Sequence, residues 1–263
     1  MSDDHSNPGN GTAENSEELI AGRHVVLEAL RCGNPLQILL AEGQKGAVID
    51  EITLLSRQRK VPVQRMSREA FLNKAGDISG NQGVAALVPP FQYYDLDELI
   101  AISRTPQGQP FLIMLDHLED PHNLGAVMRT ADAAGVHGLI IPNHRTVGVT
   151  AAVRKVASGA AERMPVAMVT NLSQSAVTLK KEGFWLYGAE GDGAEEYYRA
   201  DYLRPLVLVL GSEGKGLSRL LRQNCDLIVS ISMPGAAAGS LNVSAAAAVL
   251  IYNALAKRKG WIS

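Results

Sequence analysis

The sequence predicts an α/β chain, with a parallel sheet covered by helices on both faces over residues 111–263 and a smaller α/β unit before it. Three observations carry this. Short unbroken apolar runs, such as Phe111–Leu115, Val166–Val169 and Leu206–Leu210, alternate with helix-length amphipathic stretches, the pattern of strands buried on both faces. The run Leu206–Leu210 breaks into Gly211, Gly214 and Gly216 before a helical pattern begins at Leu217. Such a strand–glycine–helix turn puts backbone N–H groups at the carboxyl end of a sheet, where ligands bind. Finally, Pro89-Pro90 and the stretch Thr105-Pro106-Gln107-Gly108-Gln109-Pro110 punctuate a connection between the two units.

In chain order, residues 1–17 are rich in Ser, Asn, Gly and acids, lack apolar periodicity, and are expected to be a disordered tail. Residues 18–90 form the small unit. A helix is expected over 21–31, a strand over 36–40, a helix over Ala47–Arg59, a strand from Val61, a helix capped by Ser67, and a strand over 83–88. Arg57, Arg59 and Lys60 close the second helix, where cations suit the helix dipole. They read equally as a solvated helix end or as phosphate contacts. Residues 91–110 are the linker, with a short helix near 95–102. In residues 111–263 strands are expected at Phe111–Leu115, 138–141, Val166–Val169, 184–187, Leu206–Leu210 and 226–231. Helices are expected at 123–134, 150–157, Leu172–Lys181 and 240–258.

Composition narrows the function classes. An apolar content of 46% over 263 residues is ample for buried cores. Cys32 and Cys225 are far apart in sequence with no C-x-x-C spacing, which fits a reducing cytoplasm rather than a disulfide framework. The polar, acidic first residues are unlike a signal peptide, and no apolar stretch reaches membrane-span length, so no membrane association is expected. The net charge of −2 is not the usual signature of a nucleic-acid binder, but it is unevenly spread. Residues 1–18 carry five acids and no Lys or Arg, whereas residues 19–90 carry nine Lys/Arg against six acids. The small unit is therefore mildly basic, which permits phosphate contacts.

Two familiar nucleotide loops fail at the glycine turn. A P-loop needs Gly where Val209 stands and Ser or Thr where Gly216 stands, and Gly211, Gly214 and Gly216 lack dinucleotide-fingerprint spacing. Downstream, Ser240-Leu241-Asn242-Val243-Ser244 opens a long helix with three polar side chains ahead of the small-residue run from Ala245 to Ala248. Ser240 reads as its N-cap. Upstream, Asn123 follows Pro121-His122 and reads either as a helix N-cap or as a site residue. Arg129 lies about 140° around that helix from Leu124, off the apolar stripe. Asp116, His117, Asp120 and His122 could be read as metal ligands or as a polar turn around Pro121.

Gly211-Ser212-Glu213-Gly214-Lys215-Gly216 and Ser240-Leu241-Asn242-Val243-Ser244 resemble the second and third motifs of the SpoU/TrmH family of RNA ribose 2′-O-methyltransferases. The family's first motif is an Asn followed six residues later by an Arg, as Asn123 and Arg129 stand here. The resemblance covers nearly all of the chain after residue 18. It implies a SPOUT domain with a deep trefoil knot formed by the last two motifs, a homodimer through that domain, S-adenosylmethionine as cofactor and no metal. Asn123, Arg129, Glu213, Ser240 and Asn242 are carried over as catalytic-site residues, with Glu213 orienting Arg129 of the partner subunit. Gly211, Ile231, Met233 and Leu241 are carried over as cofactor contacts, made largely through the main chain. A guanidinium keeps its proton in proteins, so Arg129 is better suited to holding phosphate and stabilising a developing alkoxide than to acting as a base. Two features depart from the pattern: Ser232 stands where the family commonly has Pro, and the loop 235–240 is one residue longer. The stretch from Leu19 to Arg31 and Asn81-Gln82-Gly83-Val84-Ala85 resemble the substrate-binding domain of the family's ribosomal-RNA branch, which is similar to RNA-binding folds of certain ribosomal proteins. A guanosine in 23S ribosomal RNA is thus the expected target. A transfer-RNA enzyme is the alternative. A non-catalytic RNA- or cofactor-binding module is another, though it would have lost Asn123, Arg129, Glu213 or Asn242.

Overall fold

The computed structural model describes residues 17–106, 108–212, 214, 216–235 and 240–262. The expected tail therefore falls almost entirely outside the described residues, as do Glu213 and most of the loop 235–240.

The first unit is a four-stranded sheet. Its elements run β1 (Glu18–Ala21), α1 (Arg23–Cys32), β2 (Gln37–Ala41), α2 (Ala47–Arg59), β3 (Val63–Met66), α3 (Arg68–Ala75), α4 (Ile78–Asn81) and β4 (Val84–Val88). The strand order is β1-β4-β2-β3, with only the β2–β3 pair parallel. Alternation along β2 sends Ile38 and Leu40 to one face, with Val26, Leu30 and Ile52. Leu39 and Ala41 go to the other, with Phe71. The expectation of a helix from residue 21 is corrected here. Glu18–Ala21 is a strand paired antiparallel to β4, and the helix waits until Arg23, after Gly22 at φ 116°. Ser67 caps α3 as expected, accepting from the Ala70 N–H at 3.2 Å.

Within residues 91–110, α5 (Leu96–Ser103) starts with a capping box in which Asp95 N donates to Glu98 Oε2 at 3.0 Å. Its Leu99 and Ile100 are buried against the second sheet rather than the first. That sheet has seven strands: β5 (Phe111–Leu115), β6 (Gly138–Pro142), β7 (Val166–Val169), β8 (Trp185–Ala189), β9 (Glu195–Glu196), β10 (Leu206–Leu210) and β11 (Leu227–Ser230). They lie in the order β7-β6-β5-β10-β8-β11-β9 and every neighbouring pair is parallel. The helices between them are α6 (Pro121–Ala133), α7 (Ala151–Ala157), α8 (Leu172–Lys181), α9 (Arg219–Asn224) and the final α10 (Val243–Arg258).

Alternate residues of the central strands feed two cores. Ile113, Leu115, Leu208 and Leu210 pack with α6, α7 and α10, while Leu112, Met114, Val207 and Val209 pack with α5, α8 and α9. The late strand β10 sits between β5 and β8, so the carboxyl ends of three strands distant in sequence lie side by side. No helix of the described residues is long and apolar enough to cross a membrane.

Candidate active site at the carboxyl edge of the parallel sheet

The loop leaving β10 folds back on itself. Ser212 and Gly216 form an antiparallel bridge, with Gly216 N donating to Ser212 O at 3.0 Å. A Cβ on Gly211 would lie 2.2 Å from the carbonyl carbon of Gly216, so this crossing requires glycine. Gly216 itself has φ +65°.

The strands on either side of β10 each end in an acid that reaches this loop. Asp116 follows β5, is 2% exposed, and accepts from Ser218 N through Oδ2 at 2.6 Å. Its other oxygen contacts His117 Nδ1. Glu190 follows β8, accepts from Leu217 N at 3.2 Å and takes Arg222 Nε at 2.5 Å. This bond raises the pKa of Arg222.

Two cavities flank the loop. The first, of about 530 Å³, is lined by Gly211, Ile231, Met233, Ser240 and Leu241 together with Glu190. All four residues expected to grip a cofactor therefore face one space. The second, of about 480 Å³, is lined by Asp116, His117, Glu119, Asp120, Asn123 and Arg145. Ser212 and Gly216 border both, so the β10 loop is a shared wall.

Asn123, which lines the second cavity, meets Asn242, 119 residues away in sequence. Asn242 Nδ2 donates to Asn123 Oδ1 at 3.1 Å, and Asn123 is 6% exposed. Asn242 Oδ1 accepts from Ser244 N at 2.9 Å and from Ser244 Oγ at 2.5 Å. The N-cap of α10 is thus Asn242, not Ser240, which stands at the lip of the first cavity. The reading of Asn123 as a cap is likewise corrected. Asp120 caps α6, accepting from His122 N at 2.9 Å with Pro121 in the first turn, and Asn123 is already inside the helix. With Asp120 spent on capping and Asp116 on Ser218, the polar turn serves the backbone. Among the described residues no group of three or more His, Cys, Asp or Glu is placed to hold a metal.

Arg129 lies on the exposed face of α6, lines neither cavity, and pairs with no other described residue. Glu213 lies outside the described residues. Sequence reasoning missed Glu190 altogether; its only signal is a lone acid directly after a buried strand, a weak one.

Comparison with known proteins follows the same division of the chain. Residues 110–252 match the model of the SpoU rRNA methylase family, and residues 19–94 match that for RNA 2′-O ribose methyltransferase substrate binding. A Staphylococcus haemolyticus protein assigned to the TrmH family of tRNA/rRNA methyltransferases is 41% identical over 241 residues, covering 91% of this chain and 96% of its own. The solved structure of the SpoU methyltransferase AviRb from Streptomyces viridochromogenes, in complex with AdoMet, superposes with a TM-score of 0.77 at 25% identity, covering 95% of each chain. The TrmH/SpoU tRNA modifying enzyme of A. aeolicus, 27% identical with a TM-score of 0.52, covers 63% of this chain and 83% of its own. With the SpoU model matched over more than half of its length, this chain belongs to the SpoU rRNA methylase family.

Proposed function

We propose that the protein transfers a methyl group from S-adenosylmethionine to a ribose 2′-hydroxyl of RNA, with a guanosine of 23S ribosomal RNA as its target. The observation that carries the reading is the convergence of Gly211, Ile231, Met233 and Leu241 on one cavity whose wall adjoins the Asn123–Asn242 pair. The cavity fits the cofactor on its own terms. Its volume of about 530 Å³ suits a nucleoside with an amino-acid arm, Ile231, Met233 and Leu241 give it apolar walls, and Asp192 supplies an acceptor beside a cationic ligand. The bound cofactor supplies an electrophilic methyl on its sulfonium.

The chain's own task is to align the hydroxyl oxygen with that methyl, so that the O–CH3 bond forms as the S–CH3 bond breaks, and to let the hydroxyl proton pass to solvent water. Asn123 and Asn242 form a rigid polar floor that orients the ribose. Arg129, permanently charged, binds substrate phosphate and steadies the developing alkoxide. Because Arg129 faces outward, it serves the site across a homodimer, and the half-exposed Val249 and Tyr252 of α10 give such a dimer apolar surface to bury. Glu213 orients Arg129 of the partner subunit in this arrangement, and Ser240 reaches the cofactor. The deep trefoil knot implied by the family is supported by the insertion of β10 between β5 and β8.

Residues 18–90 are the RNA-binding domain, residues 91–110 the connection and residues 111–263 the catalytic domain, acting in the cytoplasm. The ribosomal target is favoured because the N-terminal unit carries its own substrate-binding match, whereas the tRNA modifying enzyme of A. aeolicus covers only 63% of this chain. The test is transfer of labelled methyl to unmodified ribosomal RNA and, separately, to unmodified transfer RNA, mapped by resistance to alkaline cleavage. Label confined to transfer RNA overturns the ribosomal target; label in neither overturns the reaction. Arg129→Ala is expected to abolish transfer while cofactor affinity, measured by calorimetry, stays within about twofold, since Arg129 lines no part of the cofactor cavity.

A further inference from the structure

The β10 loop is gripped from both sides at its exit. Leu217 N and Ser218 N are consecutive backbone donors, and each points to a different carboxylate. Glu190 takes the first at 3.2 Å and Asp116 the second at 2.6 Å. The two acids come from the strands that flank β10, at equivalent positions just past the sheet. They also stand on opposite sides of the loop, Glu190 in the wall of the first cavity and Asp116 in the wall of the second. The grip is reinforced around it. Leu217 is 6% exposed and packs so closely over Gly188 that a Cβ there would lie 2.6 Å from its Cδ1. Glu190 also takes Arg222 of α9 at 2.5 Å, and Asp116 N continues the sheet ladder to Leu210 O at 2.8 Å.

We propose that Asp116 and Glu190 are positioning residues for methyl transfer, a carboxylate clamp that fixes the Ser212–Gly216 bridge as a rigid partition between the cofactor cavity and the substrate cavity. The inference rests on the methyltransferase reading above. The physical reason is the strength of hydrogen bonds to carboxylate acceptors that are largely shielded from water. Two of them on adjacent amides fix Leu217 and Ser218 directly after Gly216, whose φ of +65° is a conformation that glycine adopts without strain. A partition that shifts by even an ångström misaligns the hydroxyl and the methyl that react across it.

The two acids should separate kinetically because they border different cavities. Glu190→Ala is expected to weaken cofactor binding by about 10- to 100-fold, the loss typical of a hydrogen bond to a charged group. Asp116→Ala is expected to leave cofactor affinity within about threefold and to lower kcat on RNA by about 10- to 100-fold. Glu190→Gln, whose amide oxygen still accepts from Leu217 N, should recover most of the cofactor affinity lost in Glu190→Ala.

The experiment is performed on the full chain. It comprises cofactor calorimetry, kcat and KM on ribosomal RNA normalised to the folded fraction, and amide hydrogen exchange at Leu217 and Ser218. The expected result is faster exchange at those two amides in both Ala variants, together with the split between binding and turnover. Folded Ala variants with unchanged exchange, or with faster exchange but unaltered binding and turnover, overturn the clamp. If the unaltered chain binds no cofactor and transfers no methyl, the methyltransferase reading itself is overturned, and the role in transfer falls with it.

Discussion

Asn242 does two jobs with one amide. Its oxygen caps α10 through Ser244 N, and its nitrogen donates to the buried Asn123. Asn242→Ala should therefore cost about 1 kcal/mol from the cap and about 1 kcal/mol more from the disrupted, partly buried bond, read by urea unfolding. In a double-mutant cycle with Asn123→Ala the coupling should reach about 0.5–3 kcal/mol, and strict additivity would show that the contact contributes nothing. His137 gives a pH signature. Its Nδ1 accepts from Phe111 N at 3.1 Å, which requires the neutral ring. Burial, and then the charge of Arg258, lower its pKa from the usual 6.5. Between that lowered value and 6.5 the unfolded chain binds a proton that the folded chain refuses, so stability rises with pH across this window. Acidification from about pH 7 to about pH 5.5 should lower the urea midpoint of the native chain more than that of His137→Asn, whose oxygen can still accept from Phe111. Equal losses would assign the pH sensitivity to other groups.

At the scale of elements, α6 and α7 approach closely enough to depend on Gly125. A Cβ there would lie 2.6 Å from Val156 Cβ and 3.0 Å from the Val153 carbonyl oxygen, neither at the end of a flexible side chain. Gly125→Ala gains helix propensity but overpacks the contact, and should destabilise by about 1–3 kcal/mol in equilibrium unfolding. A stabilised variant would mean that the two helices can part without loss. The same elements show what the sequence could and could not reveal. Phe111–Leu115 and Leu206–Leu210 were legible because an unbroken apolar run of strand length has few other uses, and Ala47–Arg59 because its amphipathic pattern ends in a basic turn. Strand β1 was hidden because four residues before a glycine carry little periodicity, and its pairing with β4 spans most of the small unit. The caps of α6 and α10 were displaced toward neighbouring polar residues, since Asp120, Asn123, Ser240 and Asn242 are all competent N-caps and only geometry selects among them. The site was legible as motifs, but its wall was not. Neither the placement of β10 between β5 and β8 nor the reach of Asp116 and Glu190 has any local signature.

At the scale of the whole molecule, the two sheets are joined through a buried charge. Arg154 of α7 is 4% exposed and lies 3.7 Å from Glu18 of β1 and 3.7 Å from Glu162. It also donates to Pro89 O at 3.4 Å and stacks over Phe91 at 5.6 Å. At 3.7 Å the ion pairs are Coulombic rather than hydrogen-bonded, so what Arg154 chiefly does is neutralise two acids pressed together at the junction. Burial raises the pKa of Glu162, with Arg154 working against that rise and Glu18 adding to it. Removing the cation must therefore raise it further. Arg154→Leu leaves two partly buried carboxylates facing one another and should cost up to about 3 kcal/mol near neutral pH. For an acid whose folded pKa is raised, the folded state holds its proton where the unfolded state has lost it, so stability falls as pH rises from 4.5 through the folded pKa. The deficit of Arg154→Leu relative to the native chain should accordingly shrink as pH is lowered from about 7 to about 5, because protonation removes the repulsion that Arg154 had relieved. Urea titrations of both chains at the two pH values measure it. A deficit that does not change with pH would mean that Arg154 holds the two sheets together by packing on Phe91 and Pro89 rather than by its charge.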